Sequence, residues 1–207
     1  MAHIAGPCAA ALASLTTKQK SFLQSLPKAE LHAHLNGCIP LATLQQLASE
    51  YQGTSKAVTT EDVQVDIEKL RNGVELKEIH DFFRLFGAIY ALTSTPAALA
   101  TATRAVLDSF LSGDENTRQC TYLELRTTPK DTEHMSRLQY LETVLDEVEK
   151  YPADQASLIV SVDRRMDKKT VGVVVELAIK LKEQGRRVVG VDLCGDPLVR
   201  SDLIGAL

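Results

Sequence analysis

The segment Ala156 to Val162 reads Ala-Ser-Leu-Ile-Val-Ser-Val, a near-continuous apolar run. A strand covered on both faces has this pattern, whereas a strand with one wet face alternates. Such a strand needs a layer above it and a layer below it. Three further strands are expected, at Ala29 to Leu35, Thr121 to Thr127 and Val188 to Leu193. Helical patterns separate them. Thr16 with Gln19 gives a capping-box pattern opening a short helix through Phe22 and Leu23, ended by Pro27. Pro40 suits the first position of a helix with Leu41, Leu44, Leu47 and Ala48 on one face.

After a loop at Gly53 to Thr60, a weakly amphipathic piece from Asp62 to Leu70 precedes a strong helix from Leu76 to Leu92. In that helix Ile79, Phe82, Phe83, Phe86, Ile89 and Tyr90 form an apolar stripe, read as core. Thr95-Pro96 is a cap and first-turn proline, and Leu99 to Leu111 continues as helix to the polar break Ser112 to Arg118. Ser136 and Gln139 open a helix that turns Leu138, Leu141, Val144, Leu145 and Val148 inward. Lys168 to Glu183 is a helix, stopped at Gly185.

Alternating strands and helices with buried strands point to an α/β fold with a parallel sheet, and right-handed crossovers leave a barrel or a doubly wound sheet. No glycine-rich phosphate fingerprint follows the first strand, which disfavours a Rossmann-type site. In a (β/α)8 barrel the chemistry sits at the carboxyl ends of the strands. The polar groups fall there: His32, His34 and Asn36, then Arg126 to Lys130, then Asp163-Arg164-Arg165, then Cys194-Gly195-Asp196-Pro197.

With 207 residues, 44% hydrophobic and 24% charged, and a net charge of −4, the composition is that of a globular protein. No basic field suggests nucleic acid, so a bound phosphate must be held by a few local groups. No apolar stretch approaches the ~20 residues of a membrane span. Ile4 to Leu15 is Ala-rich but has no Lys or Arg before Lys18, so the charged start of a secretory signal is missing. Residues 1–15 are expected to be a flexible leader and 16–207 one domain. Cys8, Cys38, Cys120 and Cys194 show no Cys-x-x-Cys spacing, which fits reduced thiols in the cytoplasm. Cys38 is read as a small packed side chain.

His32 and His34 stand one residue apart on the expected first strand, so both imidazoles leave the same face and can donate to one divalent ion. A bare His-x-His is weak evidence. Its surroundings are more specific: Leu-Pro-Lys-Ala-Glu-Leu-His-Ala-His-Leu-Asn-Gly, from Leu26 to Gly37, resembles the first-strand signature of the adenosine and AMP deaminase family of zinc hydrolases. The form His-Ala-His-Leu-Asn-Gly is most similar to the adenosine deaminase-like branch, whose members act on N6-methyl-AMP. Tyr-Leu-Glu-Leu-Arg-Thr-Thr-Pro-Lys, Val-Asp-Arg-Arg and Gly-Val-Asp-Leu-Cys-Gly-Asp-Pro resemble further segments of that branch in the same order, from about Phe22 to Pro197.

The resemblance implies the (β/α)8 metallo-hydrolase barrel, one Zn2+ per complete site with His32 and His34 as ligands, and a purine nucleotide as the small-molecule partner. It places His34 and Asn36 against the nucleotide, Thr127, Thr128, Pro129 and Lys130 along its pocket, Asp163 in contact and Gly195 offering backbone to the purine. Lys130 is the cation expected near the phosphate. The implied reaction is hydrolytic deamination of N6-methyl-AMP to IMP and methylamine. Adenosine is the alternative substrate, and a non-catalytic truncated form acting as a binding partner is the alternative from another class.

Two departures stand out. Tyr90 lies where relatives often carry a histidine before a pattern such as Leu92-Thr93-Ser94, so a pocket contact there is in doubt. The family also takes a third histidine and a catalytic glutamate from strand five, another histidine from strand six and an Asp pair from strand eight. None can be assigned here: besides His32 and His34 the chain has only His3, His80 and His134, none of them expected to bind metal. A barrel of this type takes about 250 residues, so the chain is expected to be the amino-terminal half of one, with about four βα units. It is expected to lack activity alone and to offer open sheet edges for self-association.

Overall fold

The computed structural model describes residues 6–51, 61–73, 84–113 and 118–195. Four strands, β1 (Ala29–His34), β2 (Tyr122–Thr127), β3 (Ala156–Asp163) and β4 (Val188–Cys194), form one sheet in the order β1-β2-β3-β4, all neighbours parallel. The helices are α1 (Gly6–Ser14), α2 (Thr17–Ser25), α3 (Leu35–Cys38), α4 (Leu41–Glu50), α5 (Glu61–Asn72), α6 (Phe86–Leu92), α7 (Pro96–Leu111), α8 (Arg137–Val148) and α9 (Lys168–Glu183). Gly6–Ser14 is thus helical within the stretch expected as a leader.

Local chemistry sets the helix ends. At α2 the Thr16 hydroxyl accepts from Gln19 N at 3.3 Å while Gln19 Oε1 accepts from Thr16 N at 2.9 Å, a complete capping box. Thr95, Ser136 and Asp167 cap α7, α8 and α9 by accepting from the backbone N–H three residues on. Helix α9 ends where Gly185 takes φ +79: its N–H donates to Lys182 O and that of Arg186 to Leu181 O, the paired bonds that close a helix through a left-handed residue.

The outer face of the sheet carries Leu123 and Leu125 of β2 and Leu158, Val160 and Val162 of β3. They belong to one core with Val106 and Leu107 of α7, Leu141, Val144 and Leu145 of α8, and Val174, Ala178 and Leu181 of α9. Each fully buried Leu there is worth about 1.5–3 kcal/mol relative to exposure. The opposite face, which is the lumen side of the expected barrel, takes the alternate residues: Tyr122, Glu124 and Arg126 of β2, Ser157, Ile159, Ser161 and Asp163 of β3, and Gly190, Asp192 and Cys194 of β4. Val189, Val191 and Leu193, on the outer face of β4, remain 43, 45 and 40% exposed. Among the described residues no helix is long and apolar enough to cross a membrane.

Two local expectations change. Helix α4 begins at Leu41 with Pro40 as its N-cap, so the proline stands one position earlier than expected. The first strand stops at His34, and the expected sharp turn at Asn36-Gly37 is a helical turn, α3, whose Leu35 and Asn36 are buried. Turning immediately after His34 carries Leu35 beneath α6 and α7, which an extended continuation would leave uncovered. Of the helix expected from Leu76 to Leu92, Phe86–Leu92 is seen; Ile79, His80, Phe82 and Phe83 lie outside the described residues. So do the Gly53 to Thr60 loop, most of the break before Arg118, His3, and Asp196 and Pro197.

Candidate functional site

Strand β1 reaches its carboxyl end through a bulge. Glu30 pairs with Leu123 and Ala33 with Leu125, so β1 carries one residue more than β2 across this interval. The Glu30 carboxylate steadies the bulge by accepting from His32 N at 2.8 Å. The imidazoles of His32 and His34 lie with centroids 5.2 Å apart and planes tilted by 53°. His32 is exposed and His34 half-buried. Burial is the main influence lowering the His34 pKa; the Asp192 carboxylate opposes it, and His32 and Arg126 add to it. A neutral imidazole is the form a metal takes, so the pair is chemically suited to a divalent cation such as zinc. Among the described residues no group of three His, Cys, Asp or Glu could hold a metal, so the pair supplies part of a donor set.

A second cluster occupies the same rim. The Lys130 ammonium lies 4.6 Å from the Tyr90 ring centroid, a cation–π contact. Desolvation pulls the Lys130 pKa down against the opposing pull of Asp163, and burial pushes the Tyr90 phenol up to about 12. Asp163 is clamped by Arg165: Oδ1 accepts from the Arg165 backbone N at 2.8 Å and from Nε at 2.9 Å, and Oδ2 from Nη2 at 2.6 Å. Those bonds hold its carboxyl below the usual range. Gly195 has φ +104, and a Cβ there would stand 3.1 Å from Asp163 Oδ1. Both the backbone angle and the carboxylate require glycine. Thr128 Oγ1 and Cys194 Sγ, 3.3 Å apart, close the wall between β2 and β4.

Behind this wall runs a buried polar chain. Thr127 Oγ1 and Tyr140 OH share a hydrogen bond of 2.8 Å, Tyr140 OH donates to Asn36 Oδ1 at 3.4 Å, and Asn36 Nδ2 donates to Thr93 Oγ1 at 3.4 Å. Thr93 in turn donates to Ile89 O at 2.8 Å.

Of the residues singled out in the sequence, Lys130, Asp163 and Gly195 meet around Tyr90 and Arg165, with Thr128 and the buried Pro129 adjoining. His32 and His34 stand together on β1. The side chains of Asn36 and Thr127 belong to the buried chain, so any part they take in a pocket runs through backbone or through Tyr140. His134 is exposed in a loop. The sequence assigns no role to Tyr140, Arg165 or the Arg126–Asp192 pair that spans the lumen at 2.5 Å. The legible signal for Arg126 was its place on the polar side of β2, in line with Tyr122 and Glu124.

The model of the family described as adenosine deaminase matches residues 27–203. The chain is 36% identical over 196 residues to the adenosine deaminase-like protein of Drosophila pseudoobscura pseudoobscura, covering 90% of this chain and 54% of that protein. It is 35% identical over 205 residues to the N6-mAMP deaminase of Arabidopsis thaliana, covering 86% and 54%. The crystal structure of Arabidopsis ADAL complexed with IMP superposes with a TM-score of 0.68 at 33% identity, over 87% of this chain and 53% of that one. The chain spans about half the length of the curated relatives it matches. The four-stranded parallel sheet and its helices are the corresponding part of the TIM-barrel fold of these deaminases.

Proposed function

Because the chain belongs to the adenosine deaminase family of hydrolytic deaminases, we propose that it carries the first four βα units of a zinc-dependent purine nucleotide deaminase site. The reaction read from it is N6-methyl-AMP plus water to IMP plus methylamine: a C6–O bond forms, the C6–N bond breaks, and the departing amine takes a proton. The observation that carries this reading is that the imidazole pair and the Lys130–Asp163–Gly195 cluster share one rim of one parallel sheet. The N6-mAMP in the name of the Arabidopsis relative and the IMP bound in the Arabidopsis crystal structure support the choice of a nucleotide.

His32 and His34 would hold the zinc, which supplies Lewis acidity and lowers the pKa of a bound water to about 7. Lys130, half-buried and kept on the Tyr90 ring, is a point charge for the 5′-phosphate. Asp163, kept ionised by Arg165, accepts a hydrogen bond from a ribose hydroxyl or a purine N–H. Gly195 lets the ligand approach backbone with no side chain between. Adenosine itself, lacking a phosphate, would leave Lys130 without a partner on the ligand.

A catalytic zinc keeps three protein ligands and one open position. The described residues group no third donor with the pair, so we expect the chain alone to bind nucleotide and to turn over none. Isothermal titration with IMP and inosine, beside an N6-methyl-AMP turnover assay in added zinc, tests both parts. Lys130→Met should weaken IMP by on the order of ten- to a hundredfold, the worth of a charged hydrogen bond, and leave inosine unchanged. Equal losses for the two ligands would refute the phosphate role, and steady turnover would refute the incompleteness.

A further inference from the structure

Arg126 lies on β2 directly beside His34 of β1 in the sheet register, and its guanidinium crosses the lumen. Nη1 donates to Asp192 Oδ2 on β4 at 2.5 Å, and Nη2 donates to the carbonyl of Leu31, inside the β1 bulge, at 2.5 Å. One side chain on β2 therefore ties β1, the strand carrying the histidines, to β4, three places away in the sheet. The Arg126 and Asp192 side chains are only 12 and 21% exposed. A largely buried ion pair of this kind is a poor source of stability, because desolvating two charges cancels much of their attraction. Its arrangement calls for another reason.

Three buried polar atoms gather there without a hydrogen-bond partner: Arg126 Nε, Ser161 Oγ and Asp192 Oδ1. Ser161 and Asp192 are register partners on neighbouring strands, Asp192 is ion-paired with Arg126, and Arg126 is the register partner of His34. The Asp192 charge acts on His34 directly, as do those of His32 and Arg126. Arg126 occupies Oδ2 only, leaving Oδ1 as an acceptor. Histidines that hold a metal through one ring nitrogen almost always donate the N–H of the other to a carboxylate, a carbonyl or water, which fixes tautomer and ring orientation.

We propose that Asp192 is the positioning carboxylate of His34, accepting its free ring N–H on Oδ1, and that Arg126 aims Asp192 for this task while anchoring the β1 bulge through Leu31 O. The inference rests on the reading of His34 as a metal ligand. Neither Arg126 nor Asp192 touches substrate; both act through His34.

The test measures the metal-free chain and the zinc-loaded chain separately. Long-range 1H–15N spectra of the metal-free chain should show His34 in a single tautomer, and Asp192→Asn should mix the two. Zinc competition against a chromophoric chelator should show a ten- to hundredfold weaker affinity in Asp192→Asn, on the order found for such partners. Arg126→Lys, which keeps one charge but loses the two-pronged grip, should fall between. Because Asp192→Asn leaves Arg126 unpaired and could unfold the chain, the Arg126→Met/Asp192→Leu double variant removes both charges and should give the same tautomer mixing in a folded protein. An unchanged His34 tautomer in either folded variant would overturn the inference. Absence of zinc binding by the wild-type chain would instead remove the metal reading, with the tautomer still deciding the role of Asp192.

Discussion

The buried chain of Thr127, Tyr140 and Asn36 allows a quantitative prediction. Tyr140 is 2% exposed, and its hydroxyl has two partners, Thr127 Oγ1 at 2.8 Å and Asn36 Oδ1 at 3.4 Å. The first is a good hydrogen bond and the second a stretched one, so most of the loss in Tyr140→Phe falls on Thr127. Losing one net hydrogen bond costs about 0.5–1.5 kcal/mol, and leaving a buried hydroxyl unpaired raises this to about 1–3 kcal/mol. Thr127→Val alone should cost about as much, since it leaves the Tyr140 hydroxyl with the weak partner only. The double variant removes both ends at once, so it should cost less than the sum by about 1 kcal/mol. Urea unfolding followed by far-UV circular dichroism measures all three, compared at a common slope. Additivity to within about 0.3 kcal/mol would refute the claim that the two hydroxyls stabilise the wall as a pair.

Gly195→Ala forces a side chain into a positive-φ position and against Asp163 Oδ1, so it should destabilise by about 1–3 kcal/mol and weaken IMP binding, read by thermal melting and calorimetry. Wild-type values for both would contradict the close approach. Arg165 holds the folded Asp163 carboxyl below its ordinary value, so the unfolded chain binds the extra proton. The stability Asp163 contributes is present above about pH 4 and is lost as pH falls through the lower folded value. Asp163→Asn should flatten the acid limb of the stability curve, and an identical limb would argue against the clamp. Val191→Lys, on the exposed outer face of β4, should move size-exclusion elution towards the monomer at high concentration. Elution unaffected by the change would refute self-association through this face.

The strands were legible because burial writes itself into sequence. β3, buried along nearly its whole length, has the near-continuous apolar run from Ala156 to Val162, interrupted only by Ser157 and Ser161, and β2 alternates because one of its faces carries Tyr122, Glu124 and Arg126. The end of β1 was missed by one residue, since the choice between extending through Leu35 and turning after His34 depends on α6 and α7, more than fifty residues further on. The candidate site was legible in its ingredients and less so in its connections. Lys130 stood out as a cation at a strand end, but its seat on Tyr90 joins two elements, and the apolar stripe of that helix had suggested only core for the tyrosine. Arg126 and Asp192 lie 66 residues apart and could be matched only once β2 and β4 lay two places apart in one sheet.

Strand order in the sheet is identical to strand order in the chain. Every strand after the first therefore docks on an edge whose residues left the ribosome before it did. During synthesis the barrel wall would accrete one βα unit at a time, with each new helix covering the strand just laid down. The leading edge at any moment is the newest strand, so the time that edge spends uncovered is set by translation speed. Slow codons placed after β3 would prolong the exposure of its edge until β4 emerges, and a pause after α9 would leave that edge open as well, because a helix covers the face of a strand and not its hydrogen-bonding edge.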